Sequence, residues 1–119
     1  MATLYHNPRC SKSRQTLAII EASGVDFSIV EYLRNPLTTE ELLVLLSRLQ
    51  GNCADLVRFT DSEFAESGYS KVDLEDAAVV AELLEIHPSL MQRPIYDDGK
   101  SAVIGRPPEA VNVLLRSGS

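Results

Sequence analysis

Cysteine is scarce in this chain: only Cys10 and Cys53 occur among 119 residues. Two cysteines cannot furnish a four-cysteine zinc site, and they make a poor disulfide framework. Long apolar runs are missing as well. The longest is far shorter than the roughly 20 residues of a membrane span. The opening MATLYHNPRCSK carries no signal-peptide pattern and leads directly into a strand-like segment. A cytoplasmic protein with reduced thiols is therefore expected, with no membrane partner. Positive charge is also in short supply, with 11 Lys and Arg against 17 Asp and Glu and a net charge of −6. That balance argues against a general nucleic-acid binder, which needs clustered cations for the phosphate backbone. It also makes any local concentration of arginine more noticeable.

What is present is an ordinary globular composition, 45% hydrophobic and 24% charged. The length suits one core and one domain, residues 1–119. No coiled coil or apolar surface stripe is evident, so a monomer is expected.

Thr3 to His6 read as a first strand, followed by a polar loop from Asn7 to Cys10 and a helix from Ser11 to Ser23. Ser13, Leu17 and Ile20 share one face of that helix, and Gly24 stops it. Asp26 to Tyr32 reads as a second strand. Thr38 and Glu41 form a capping box for a helix striped by Leu42, Leu45, Leu46 and Leu49, with Leu37 as a hydrophobic staple onto Leu42. Asn52 caps a short helix, Thr60 with Glu63 resembles another capping box, and Asp73 caps a longer helix over Ala77, Val80, Ala81 and Leu84. Pro88 closes that helix by excluding His87 from helical geometry. Pro94 to Tyr96 and Ala102 to Ile104 flank Asp98-Gly99, the signal of a two-residue type I′ hairpin. Pro107 and Pro108 suit the first turn of a last helix. The order β-α-β, helices, β-β, α predicts an α/β fold with a mixed four-stranded sheet of thioredoxin or glutaredoxin layout. A helical insertion of about 38–91 lies between the βαβ unit and the C-terminal ββα unit.

The chemistry concentrates in HNPRCSKSR. A cysteine attacks only as its thiolate, and positive potential lowers its pKa. Cys10 sits where strand gives way to helix, so unpaired backbone N–H groups point toward its sulfur. Arg9, Lys12 and Arg14 add three cations close by in the chain. Ser13, one turn along, can offer its hydroxyl to the sulfur, and His6 can stabilise the thiolate if its ring turns to the loop. Read singly, His6 is a structural hydrogen-bonder and Ser13 a plain helix residue. Their combination with Cys10 makes the three a candidate catalytic set. The same helix start is suited to an oxyanion. No cysteine stands three residues after Cys10, so the chain has no C-x-x-C resolving pair, and Cys53 reads as structural.

This loop closely resembles the H-N-P-x-C-x-x-S-R active-site segment of the ArsC family of arsenate reductases, met here by His6, Asn7, Pro8, Cys10, Ser13 and Arg14. Tyr32-Leu33-Arg34-Asn35-Pro36 resembles the family's Y-L-x-x-P. His87 to Ile95 resembles its H-P-x-L-x-x-R-P-I, and Arg106-Pro107-Pro108-Glu109 its R-P-x-E. The likeness is greatest to a shorter branch without the longer C-terminal tail of the plasmid-type enzymes. The resemblance implies a glutaredoxin-like fold and reduction of arsenate to arsenite through a Cys10 adduct. It implies no bound cofactor or metal, and glutathione and glutaredoxin as the reducing partners. It further implies that Arg58, Arg93 and Arg106 hold the oxyanion, with Arg58 the loosest match, and that Pro94 is a cis-proline beside the nucleophile. Two other readings stay open at this point. One is a glutathione-linked thiol oxidoreductase acting on another substrate. The other is an Spx-like regulator binding RNA polymerase, against which Ser13 in place of a second thiol counts.

Overall fold

A computed structural model describes residues 2–117. Four strands, β1 (Ala2–Tyr5), β2 (Phe27–Val30), β3 (Ile95–Asp97) and β4 (Ala102–Ile104), form one sheet in the order β2-β1-β3-β4. β1 and β2 are parallel, pairing Leu4 with Ile29, because helix α1 (Ser11–Ser23) carries the chain back between them. β3 runs antiparallel to β1, with Leu4 opposite Tyr96, and β4 antiparallel to β3. This is the mixed four-stranded thioredoxin-like sheet that the element order predicts.

Alternation along the strands divides the core into two layers. Leu4 and Tyr96 turn to one face, where Ile20 of α1 and Val111 and Leu114 near the C-terminus cover them. Val111 closes a 3₁₀ turn (Pro108–Val111) that runs into α5 (Asn112–Ser117). Ile95, Ala102 and Ile104 turn to the opposite face against Leu42, Leu45 and Leu46 of α2 (Thr39–Arg48) and Val80, Leu83 and Leu84 of α4 (Ala77–Ile86). Each such leucine or isoleucine contributes about 1.5–3 kcal/mol by leaving water. Between β2 and β3 the helical elements run from Thr39 to Leu90, including a short α3 (Ser62–Glu66) and 3₁₀ turns at Cys53–Leu56, Lys71–Glu75 and Pro88–Leu90. Among the described residues no helix is long and apolar enough to cross a membrane.

Several local readings shift by a residue or more. The Thr38–Glu41 capping box forms as expected, each side chain accepting from the other's backbone N–H. The next one does not: Asp61, not Thr60, caps α3 by accepting from the Glu63 N–H at 2.9 Å. Glu63 is instead occupied by His87 and Ser89. Asp76, not Asp73, caps α4, while Asp73 lies inside the preceding 3₁₀ turn. β1 ends at Tyr5 rather than His6, and β2 is shorter than Asp26 to Tyr32. The buried stripe of α1 is Ser13, Thr16 and Ile20, with Leu17 only partly covered.

The hairpin turn is also displaced. Asp97 pairs with Ala102, and the Asp98 N–H donates to the Ser101 carbonyl at 3.0 Å, which makes Gly99 and Lys100 the central residues. Gly99 has φ +99° and Lys100 has no positive φ, the pattern of a II′ turn rather than I′. The Asp98 carboxylate decides the register by accepting from the N–H groups of both Lys100 and Ser101 at 2.8 Å.

Candidate active site

The Cys10 loop is built from its asparagine. The His6 N–H completes the parallel pairing by donating to the Val30 carbonyl at 2.8 Å, and the chain then leaves the sheet. Asn7, buried, accepts from the Cys10 N–H through its carbonyl (3.0 Å) and from the Arg9 N–H through Oδ1 (3.0 Å). Its own N–H donates to Ser13 Oγ at 3.3 Å. Arg14 ties the loop from outside, donating through Nη1 to the Pro8 carbonyl at 2.9 Å. Cys10 thereby takes the N-cap position of α1, with extended φ and ψ of −91° and 123°, and its carbonyl accepts the first helical bond from Arg14. No acidic residue occupies the first turn of α1 to compete for its N–H groups.

The half-buried Cys10 thiol has a lowered pKa. Burial is the largest single influence and works against the thiolate. It is outweighed by the backbone N–H groups of Ser13 and Lys12 and by hydrogen bonding and charge from Arg93. Arg106 adds a further donor, its Nη1 standing 3.9 Å from the sulfur. The side-chain charges of Arg9, Lys12 and Arg14, neighbours in sequence, do not rank among the leading causes. Ser13 Oγ accepts from the Asn7 N–H, and the backbone N–H of Ser13 is among the groups that favour the thiolate. His6 is buried and its Nδ1 has no partner; burial, with help from Arg14, lowers its pKa against the opposing pull of Glu31. Among the described residues it makes no hydrogen bond to Cys10, and a neutral imidazole cannot supply the thiolate with charge.

Three arginines converge on this loop from distant parts of the chain. Arg106 follows β4 and is steered by a 3.1 Å bond from Nη1 to the Arg93 carbonyl. Arg93 precedes β3 and donates to the Ser89 carbonyl at 3.1 Å. Ser89 in turn donates through Oγ to Glu63, whose other oxygen meets His87 Nδ1 at 3.0 Å. Arg58 reaches the cluster because Val57 and Met91 form an antiparallel bridge, flanked by the Arg58 N–H to Leu90 carbonyl bond (2.8 Å). Burial lowers the Arg58 pKa, and Arg93 and Arg106 lower it further by like charge. Nε of Arg58 and Nε of Arg93 are both buried without a hydrogen-bond partner. Asp61 Oδ2, 3.9 Å from Arg58 Nε, offsets part of this charge, but in a chain of net charge −6 the three guanidiniums remain a basic cluster whose rigid forks suit a tetrahedral oxyanion.

The peptide bond between Arg93 and Pro94 is cis, and so is that between Arg106 and Pro107. Gly105 stands between the two prolines: its N–H donates to the Pro94 carbonyl at 2.9 Å, and a Cβ there would lie 2.8 Å from Pro94 Cγ and from Thr16 Oγ1. Cys53 is a free thiol whose Sγ donates to the Leu74 carbonyl at 3.1 Å. Two site residues carry no individual role in the sequence reading, Asn7 and Tyr32, although both fall inside quoted motifs. Tyr32 is buried and acts electrostatically with Arg93, Cys10 and Arg58. The available signal was its place just past a strand parallel to the one that feeds the cysteine loop.

Fold and site together define a thioredoxin-like protein with a lone cysteine at the first helix N-terminus and arginines gathered around it. The chain belongs to the ArsC family, whose model matches residues 5–114. It is 39% identical over 109 residues to the uncharacterized protein YfgD of Escherichia coli K12, covering 91% of each chain. It is 36% identical over 113 residues to the arsenate reductase of Haemophilus influenzae, covering 94% of this chain and 97% of that one. Among solved structures, the arsenate reductase from Vibrio cholerae superposes with a TM-score of 0.79 at 33% identity, over 94% of this chain and 95% of that one.

Proposed function

We propose that this chain reduces arsenate to arsenite through Cys10, with glutathione and glutaredoxin supplying the electrons. The observation that carries the reading is the Cys10 sulfur at a helix N-terminus, 3.9 Å from Arg106 Nη1, with Arg58 and Arg93 in the same cluster. Two relatives bearing the name arsenate reductase, matched over nearly their whole length, support the choice of oxyanion.

Arsenate enters as a tetrahedral anion held by the three guanidiniums and the N–H groups of Lys12 and Ser13. The Cys10 thiolate bonds to arsenic while one arsenic–oxygen bond breaks. The departing oxygen leaves as water after taking up protons, and no electrons have yet moved. A glutathione thiolate then attacks the Cys10 sulfur. The sulfur–arsenic electron pair stays on arsenic, which leaves as arsenite, and the two sulfurs are joined as a mixed disulfide. Glutaredoxin's thiolate takes the glutathionyl sulfur and frees the Cys10 thiolate. Fixed donors aimed at the oxyanion lower the barrier to an anionic sulfur approaching an anion. An outside thiol is required because Ser13 stands where a resolving cysteine would be, and the Cys53 thiol is bound to the Leu74 carbonyl.

The direct test measures arsenite formed from arsenate in the presence of glutathione and glutaredoxin. The Cys10→Ala protein is expected to form none, and turnover that survives the substitution overturns the mechanism. Rapid reduction of glutathionylated substrates by the parent protein, with negligible arsenate turnover, would transfer the same thiol to a different substrate.

A further inference from the structure

Tyr32 has a role to be assigned. Its side chain is 1% exposed within the larger core layer; Arg93 stands close enough to donate toward the phenol oxygen, but among the described residues no acceptor meets the hydroxyl's own proton. Buried polar groups are as a rule hydrogen-bonded, so an orphan calls for a physical reason. The leading electrostatic neighbours of this hydroxyl are Arg93, Cys10 and Arg58. Arginine donates and never accepts. The guanidiniums can therefore approach the phenol oxygen but leave its proton without an acceptor.

Topology explains how a residue of β2's trailing loop comes to the site. β1 and β2 are parallel, so their carboxyl ends lie side by side, joined by the bond from the His6 N–H to the Val30 carbonyl. Tyr32 follows the end of β2 by two residues, beside the point where β1 passes into the cysteine loop. The carboxyl end of parallel strands is where open α/β sheets place their ligands.

We propose that the Tyr32 hydroxyl donates a hydrogen bond to the oxyanion held by Arg58, Arg93 and Arg106, as a fourth substrate-binding side chain. The proposal rests on the oxyanion reading of the site and goes beyond it in naming this residue. A hydroxyl supplies what another arginine would not: a donor that adds no charge to a cluster in which Arg58 is already opposed by its two like neighbours. Burial raises the phenol's pKa and so keeps the proton that is to be donated.

The test compares arsenate binding by calorimetry in two proteins that cannot form the covalent adduct, Cys10→Ser and Cys10→Ser with Tyr32→Phe. Phenylalanine preserves the ring and removes only the hydroxyl, so the thermal midpoint is expected to hold or rise. Arsenate affinity is expected to fall about tenfold, the scale of one lost hydrogen bond to a charged group. Equal arsenate affinity with and without the hydroxyl overturns the Tyr32 assignment while the oxyanion site stands. A Cys10→Ser protein that binds no arsenate overturns the substrate reading and the Tyr32 assignment with it.

Discussion

The Arg106 guanidinium stands 3.9 Å from the Cys10 sulfur, 96 residues away in the chain, and is aimed there by its bond to the Arg93 carbonyl. One arginine thus positions the next, and both face a thiol whose ionisation they favour. Removing either changes the anion affinity of the whole cluster.

Cys10 is expected to ionise below the ordinary cysteine value of about 8.5. The iodoacetamide reaction rate against pH should show its midpoint below that of a free thiol. Arg93→Ala should move the midpoint upward, since Arg93 both hydrogen-bonds to and charges the site. An unshifted midpoint in the parent protein would remove the electrostatic account of the nucleophile.

Arg106→Ala is expected to lower kcat/KM for arsenate by about ten- to a hundredfold, the range for a hydrogen bond to a charged group. The side chain is exposed, so thermal stability should change little. Arg106→Lys should restore only a small part of the loss, because an ammonium cannot reproduce the planar fork that donates to the Arg93 carbonyl and would meet an oxyanion with its remaining N–H groups. Steady-state kinetics of the two variants side by side checks both statements.

Gly105→Ala tests the packing beneath the arginines. The added methyl would meet Pro94 Cγ and Thr16 Oγ1 at 2.8 Å, a ring and a short side chain with little room to yield. A loss of about 1–3 kcal/mol in urea unfolding is expected, as for overpacked cores. Arsenate turnover should fall as well, because Arg106 is the next residue. Alanine tolerated without cost would mean that the two proline segments are not held against each other.

His6 gives stability a pH dependence. Burial depresses its folded-state pKa below the unfolded value of about 6.5. Between those two values the unfolded chain binds more protons, so stability rises with pH there and falls on acidification. The urea midpoint is expected to decline from pH 7.5 toward 5, and His6→Gln should flatten that decline. A profile identical in both proteins would show that His6 titrates alike folded and unfolded.

Cys53→Ser is expected to retain full arsenate turnover with glutathione and glutaredoxin. Serine can still donate to the Leu74 carbonyl, as the thiol does now. Activity lost with this variant would make Cys53 a resolving thiol and displace glutathione from the proposed scheme.

Features that depend on near neighbours in the chain were legible without coordinates. Thr38 with Glu41 announces a helix start because both partners lie within four residues. Gly24 marks the end of α1 because a left-handed φ of 80° suits glycine there. The β-α-β start and the position of Cys10 at a helix N-terminus follow from the same short-range rules. Where two local solutions compete, a remote group decides. Glu63 could have backed a Thr60 cap, but His87 and Ser89 occupy its carboxylate and Asp61 caps the helix instead.

Sequence alone determined the fold class, the loop around Cys10 and, through the family resemblance, the three arginines. Tertiary structure alone decided which charges act on the sulfur: the side chains of Arg9, Lys12 and Arg14 give way to Arg93 and Arg106, and Tyr32 is brought in from the end of β2. The physical reason is that backbone hydrogen bonding and capping are satisfied within a few residues of chain. Coulomb interaction and burial depend instead on distance through space, which closure of the sheet and packing of the helices set.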